Sequence, residues 1–576
     1  MGLELPKYPV MEEEEVVNLE LEIARRVREA LSSVPSLEGS RDSYNQLVGV
    51  ILHSKQLGRD ELALLETTLK GLAAAVSLID LTHHESLVSA IFSMSMWNYA
   101  PHVEDALAEL IVSLAVSNGK YLDLSLGMLV NNFTPPPYFL DKLGLPYGLD
   151  RKNQVLSRVH AAFKKISEYV PLAPLRLINL VIQRMPTIYH KDRAVLIYVE
   201  NMLKLESGEI GEVVGNSVLM ALVDRLIDLD LEIGWDAILR DDFNKGIFEM
   251  ELEDEDEIVE SAEQHPGEFR LSRMTLVGNS IAELLDNLLV LTFEHLESCE
   301  RAGRLAKVFE TLLQSFQITV MSAYKSKFTQ FVMFYACALD PENCGVRFAT
   351  VLADLFVQDS RPEQTRMTAV AYLASYLSRA KFLSVFFIST MLKRLVDWCL
   401  EYCKTHDGDI NPNAHRVFYS GCQAIMYILC FRMKVFVDVP RLNLLLMPPL
   451  EQILKHKLNP LKVCLPSVVE EFLRQSKAAS LFTVSETFIF DGLLESELSR
   501  AFGGLERLDT FFPFDPCLLK RCDRSFDEQE HDLDEFDTAM SKMSITPKNG
   551  YCYKFGGRDS TRMPSRIRPS TSPESL

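Results

Sequence analysis

Asn279 to Leu296 reads NSIAELLDNLLVLTFEHL. Ile281, Leu284, Leu285, Leu288, Leu289 and Leu296 recur at the three-and-four spacing of an amphipathic helix and form one apolar stripe. Ser280 and Glu283 have the spacing of a capping box, in which each side chain satisfies an orphaned backbone N–H. Ser360 with Glu363 repeats the pattern ahead of Val370, Leu373, Leu377 and Ala380, and Ser467 with Glu470 repeats it after Pro466. Pro101, Pro171, Pro186, Pro341, Pro362 and Pro460 fall between such segments, where a missing N–H and a fixed φ start or stop helices. Alternation of the strand type is scarce. These patterns predict an all-α chain.

The length of 576 residues would ordinarily imply several compact domains. No Gly- and Ser-rich linker separates them, however, and the whole chain has only 26 glycines. Helix after helix without linkers, apolar on more than one face and with no sharp consensus, predicts a HEAT-repeat-like α-solenoid built of antiparallel helix pairs. We place an N-terminal segment at 1–44, the helical repeats at 45–521 with an acidic loop at 246–270, and a regulatory tail at 522–576. The loop is expected to be solvated, because Glu249 to Glu263 holds nine carboxylates and no base. The tail is expected to be disordered. Asp523 to Asp537 has eight acids against one base, and Lys542 to Leu576 has seven bases against two acids.

A net charge of −21 argues against wrapping nucleic acid over the whole surface. All eleven cysteines lie between Cys299 and Cys552 without a CxxC pair, the pattern of reduced, buried thiols. The acidic start MGLELPKYPVMEEEE lacks the features of a signal peptide, and Pro6 spoils a myristoylation signal at Gly2. No stretch has the length and apolarity of a membrane span.

Chemistry-bearing motifs are missing. There is no phosphate loop, dinucleotide fingerprint, nucleophile elbow or zincin helix. Ser322 and Lys325 match S-x-x-K without its partner motifs. Cys399, Cys403 and His406, with His415 and Cys422 beyond, form the best metal candidate, but the spacing fits no zinc finger and buried thiols explain it better. His83-His84-Glu85 reads as a turn between helices. The expectation is a protein with no catalytic residues, no cofactor and no metal, which works by offering surface.

Several blocks are denser in specific residues than scaffold requires. They are FTQFVMFYACAL (Phe328 to Leu339), TAVAYLASYLSRAKFL (Thr368 to Leu383), LNPLKVCLPSVVEEF (Leu458 to Phe472) and LDTFFPFDPC (Leu508 to Cys517). In the last, Pro513 and Pro516 forbid a continuous helix, so its three phenylalanines need tertiary contacts. With YVPLAPLRLINLVIQRMPTIYHKDRAVLIYVENML (Tyr169 to Leu203) and VFYSGCQAIMYILCFR (Val417 to Arg432), these blocks resemble, in collinear order from Asn45 to Arg521, the RNA polymerase I-specific transcription initiation factor family.

The resemblance implies a HEAT-repeat protein that binds RNA polymerase I near its stalk and bridges it to the promoter-bound core or selectivity factor on ribosomal DNA. It implies a nuclear and nucleolar location, with a cytoplasmic pool, and a homodimer when free of polymerase. The family's selectivity-factor contact, an L-A-R-A-K turn, corresponds here to Leu377, Ser378, Arg379, Ala380 and Lys381. A phosphorylation-sensitive, polymerase-facing serine surface corresponds to Ser86, Ser89, Ser93 and Ser95 between helices, and to Ser113 and Ser117 on the next helix. Kinase-type patterns in the tail single out Thr546, Ser565, Ser570, Thr571 and Ser572, so protein kinases are expected partners. The stretch Leu352 to Arg366, where family members are held to touch DNA, has three acids against two bases and argues against direct DNA contact. A generic HEAT scaffold or transport adaptor is the competing reading.

Overall fold

The computed structural model describes residues 13–35, 41–52, 58–187, 190, 192–233, 267–323, 326–406, 411–437 and 440–479. Among the described residues there are helices and turns but no strand. The chain divides into two compact units, Met1–Ala221 and Leu222–Leu576.

In the first unit we number the longer helices α1 (Glu13–Ser33), α2 (Asp42–Leu52), α3 (Arg59–Ala74), α4 (Glu85–Ser93), α5 (Pro101–Ser117), α6 (Gly119–Asn131), α7 (Pro146–Tyr169), α8 (Ala173–Gln183) and α9 (Asp192–Ser207). α10 (Gly211–Glu232) carries the boundary between the units. Helices two apart pack on each other. α1, α3, α5 and α7 form one layer, and α2, α4, α6 and α8 form the other. This is the two-layer stacking of a HEAT-type α-solenoid, in which each helix pair buries its apolar face on its neighbours. The segment before Asn45 contributes α1, whose Val27, Ala30 and Leu31 are buried. Fully buried Glu104 of α5 ties that helix to α7 within their layer by pairing with Arg151 and Arg158; desolvation raises its pKa despite both cations.

The second unit contains α11 (Gly267–Arg301), α12 (Leu305–Ser315), α13 (Gln330–Leu339), α14 (Val346–Val357), α15 (Glu363–Arg379), α16 (Val385–Thr405), α17 (Arg416–Val437), α18 (Pro440–Leu454) and α19 (Pro466–Ala478). The alternation recurs, with α15, α17 and α19 in one layer and α14, α16 and α18 in the other. The aromatic block at Phe328 to Leu339 is core. Phe334 packs against Phe348 and Tyr376, and Phe316 packs edge-on against Phe348 and Tyr372, with centroids 5.0–6.0 Å apart. Each buried ring is worth about 1.5–3 kcal/mol from area alone, plus about 0.5–1.5 kcal/mol per well-formed aromatic pair.

Prolines start or flank helices as expected: Pro101 opens α5, Pro362 precedes α15 and Pro466 opens α19. The three expected capping boxes are not used. α11 begins at Gly267, so Ser280 lies inside it; the apolar period simply continues upstream of the serine. Pro362 is the residue before α15, and a proline disfavours helical backbone in the residue ahead of it, which leaves Ser360 outside capping reach. Pro466 takes the first helical position of α19, which makes Ser467 already helical. Capping falls instead to Asn118, which accepts from Lys120 N at 3.0 Å, and to Ser384, which accepts from Phe387 N at 3.2 Å. Residues 246–266 of the acidic loop, LDTFFPFDPC and the tail lie outside the described residues, while Gly267–Arg270 are helical.

Candidate partner-binding surfaces

The L-S-R-A-K turn closes α15. Ala380 follows its last residue and donates its backbone N–H to Tyr376 O at 2.8 Å. Leu377, Ser378 and Ala380 are buried and form the seat of the turn, whereas Lys381 is exposed. The side chain of Arg379 lies outside the described residues. Beneath the turn sits Arg432 of α17, whose Nε donates to Leu377 O at 3.1 Å. The guanidinium thereby serves an end-of-helix carbonyl, where a cation complements the helix dipole. Burial pulls the Arg432 pKa down to about 10. Partial burial, then repulsion from Arg432, lowers the Lys381 pKa. Arg432 was not singled out from sequence; its only signal is that it closes the apolar run Val417 to Phe431 as the first charge after Arg416.

The serine surface is partly rearranged relative to expectation. Ser86, Ser89 and Ser93 lie within α4 rather than between helices, because Glu85 begins the helix directly after His84. All three are exposed, at spacings of three and four that put them on one face. Ser95, in the connection after α4, is half-buried and donates to Asn132 Oδ1 at 3.2 Å. On α5, Ser113 is half-buried and Ser117 is exposed, its hydroxyl bonded to Leu114 O. Ser86 Oγ also lies 2.9 Å from the Tyr44 hydroxyl. Thr546, Ser565, Ser570, Thr571 and Ser572 lie outside the described residues.

His84 is buried in the turn before α4, its Nδ1 accepting from Asp80 N at 3.0 Å and its Nε2 3.0 Å from Leu31 O. A groove of about 530 Å³ between α7 and the end of α9 is lined by Leu156, His160, Phe163, Lys164, Lys204 and Ile210. Both of its lysines are already neutralised, Lys164 by Glu209 and Lys204 by Glu200. Burial holds His160 below the usual imidazole range, while its hydrogen bond to Asn201 opposes that shift.

The cysteine–histidine cluster is built as packing. Cys399, Cys403 and Cys422 are buried, and burial pushes the Cys403 thiol up to about 12 and Cys422 well above its ordinary value. His406 stacks on Tyr402 at 3.9 Å, and Tyr402 bonds His415 Nδ1 at 2.9 Å. The two histidines and Tyr402 form an aromatic stack, and burial favours the protonated thiol at Cys403 and Cys422. Ser322 donates to Ile318 O at the surface, and Lys325 lies outside the described residues. In the stretch Leu352 to Arg366, Arg366 is turned inward; its Nε donates to Phe356 O, it pairs with Asp359, and it covers the Trp398 ring at 5.3 Å. Asp354 is paired with Arg394. These contacts leave little cationic surface for phosphates.

Asp230, near the end of α10, is a keystone that the sequence did not announce. It is fully buried and accepts from the backbone N–H groups of Lys327, Phe328 and Thr329 at 2.9–3.0 Å. Ser326 and Thr329 hydroxyls also donate to it, and Lys327 Nζ lies 3.6 Å away. A carboxylate thus organises the entry to α13, doing at long range what a local cap does.

Comparison with known proteins is consistent from end to end. The family described as RNA polymerase I specific transcription initiation factor RRN3 matches residues 19–529. The chain is similar to the RNA polymerase I-specific transcription initiation factor RRN3 of Mus musculus, with 26% identity over 77% of this chain and 72% of that one. Against its Schizosaccharomyces pombe counterpart the identity is 26%, over 79% and 78%. The crystal structure of RNA polymerase I transcription initiation factor Rrn3 shares the fold at a TM-score of 0.67, covering 88% of this chain and 98% of that one at 21% identity.

Proposed function

The chain belongs to the RNA polymerase I-specific transcription initiation factor family, and from that premise we propose that it binds RNA polymerase I near the stalk and bridges it to the promoter-bound core or selectivity factor on ribosomal DNA. Its work is to hold two partners together, without chemistry of its own. The observation that supports the bridging reading is the α15–α16 turn: Lys381 stands exposed on a seat made rigid by buried Leu377, Ser378 and Ala380. A rigid, cationic turn on a helical stack is a surface for a protein partner rather than a reaction site.

The polymerase-facing surface in this reading is the first unit, where Ser86, Ser89 and Ser93 line one face of α4 and Ser117 is exposed on α5. A phosphate on any of them adds nearly two negative charges to a chain already at −21 and repels an acidic partner face. Kinases acting there, or on Thr546, Ser565, Ser570, Thr571 and Ser572, would set how much of the protein is competent. Free of polymerase, the chain forms a homodimer in this reading, and it resides in the nucleolus with a cytoplasmic pool.

Affinity capture of the tagged chain should recover polymerase I subunits, and chromatin mapping should place it at the ribosomal DNA promoter. Changing Ser86, Ser89 and Ser93 together to Glu should lower polymerase recovery with the circular dichroism unchanged. Recovery of no polymerase subunit, with exclusion from the nucleolus, would sink the proposal.

A further inference from the structure

We propose that Lys381 and Arg432 together form a carboxylate-receiving site, and that the partner segment docking there is acidic and carries an apolar side chain for Phe386. The proposal rests on the reading of the α15–α16 turn as a partner contact, and adds the chemistry of the contact and a residue from a different helix.

The local charge balance carries the argument. Several bases on the surrounding helices have acids: Arg394 pairs with Asp354, Lys393 with Asp397, Arg366 with Asp359 and Arg474 with Glu471. Lys381 and Arg432 have none among the described residues, although the chain has 80 acids against 59 bases. The two cations face each other closely enough for Arg432 to disfavour the charged form of Lys381. Arg432 is half-buried, and its Nη2 is buried without a hydrogen-bond partner, so only its Nε–H to Leu377 O is satisfied on that side. A buried charged donor without an acceptor is costly, and that cost is removed when an acceptor arrives. A carboxylate suits the planar guanidinium fork and relieves the repulsion from the ammonium at the same time.

The apolar half of the site follows directly in sequence. Phe386, in the first turn of α16, is 79% exposed, the largest value among the large hydrophobics of the described residues, and Val385 beside it is 39% exposed. Ser384 caps α16 and fixes where these two residues emerge. An exposed aromatic anchor close in sequence to a cationic turn is the composition of an interface hot spot.

The test uses the full chain assembled with purified polymerase I and the promoter-bound selectivity factor. A carbodiimide condenses a lysine amine with a contacting Asp or Glu carboxylate, forming an amide and transferring the lost water to the reagent. Peptide mapping should find Lys381 joined to an acidic residue of the selectivity factor. A link from Lys381 to a polymerase subunit would uphold the site while overturning the selectivity-factor reading. Lys381 left free while other interfacial lysines are linked overturns the site itself. In parallel, Lys381→Glu should weaken recovery of the factor about thirty-fold and Lys381→Arg should retain it. Arg432→Gln should match the loss at an unchanged melting temperature. If that variant melts early, the exposed Lys381→Glu substitution decides alone, and unchanged binding by it refutes the proposal.

Discussion

Asp230→Ala should be among the most damaging single substitutions in the second unit. The carboxylate receives three backbone N–H groups and two hydroxyls, all at 2.8–3.0 Å, in a site with no solvent access. Removing it strands those donors at about 1–3 kcal/mol each if none relaxes. It also takes a carboxylate away from the buried ammonium of Lys327, 2% exposed, and breaking a buried pair typically costs about 3–5 kcal/mol. These contributions overlap, since water or local fraying rescues some donors, so about 4 kcal/mol is expected in total. Asp230→Asn should lose less, because one carbonyl oxygen still accepts while the new NH2 opposes the remaining donors. The assay is hydrogen exchange on the full chain. The amides of Lys327, Phe328 and Thr329 should lose protection by roughly a thousand-fold, with a urea midpoint shift in the second unit. A loss below about 1 kcal/mol, with protection at those three amides intact, would show that the carboxylate is not the organiser of the α13 entry.

His160 should give stability a pH dependence. Its folded pKa lies below the unfolded value of 6.5, because burial disfavours the cation, so the unfolded chain takes up the proton first. The contribution is therefore full above pH 6.5 and is lost as pH falls from there through the folded pKa; His160→Gln should flatten that part of a melting-temperature profile. Gly421→Ala sets a helix gain of up to about 1 kcal/mol against a Cβ only 2.8 Å from Phe356 Cζ and 3.0 Å from Cys399 Sγ. Because the Phe356 ring is fully buried, overpacking at about 1–3 kcal/mol should win, the melting temperature should fall, and Phe356→Leu should reverse part of the loss. Cys403, Cys422 and Cys464 should resist a thiol reagent in the folded chain and react on denaturation, since burial raises all three pKa values and only thiolates attack.

The all-α class and the helix faces were legible in the sequence because they depend on local periodicity. Ile281, Leu284, Leu285, Leu288, Leu289 and Leu296 are all buried along the stripe from which they were read. Prolines at helix starts, such as Pro101 and Pro362, were legible for the same reason, although Pro448 and Pro449 lie inside α18. Capping was not. Ser280, Ser360 and Ser467 have the right spacing, but whether a serine caps depends on where the helix begins, and upstream periodicity or a proline decided that. The family's turn was legible as a motif, yet the motif alone could not say which of its residues reach solvent.

What tertiary structure alone decided are pairings across long stretches of chain. Asp230 meets residues 326–329 nearly a hundred positions on, and Arg432 reaches Leu377 across 55. Neither residue carries a local pattern, because their partners lie far along the chain and are largely backbone groups, which look the same in every sequence. The sequence by itself determined which residues want burial, which segments are helical and which family the chain resembles. The stacking of those helices determined which charges are answered from within, as at Asp230, and which have no acid among the described residues, as at Lys381 and Arg432.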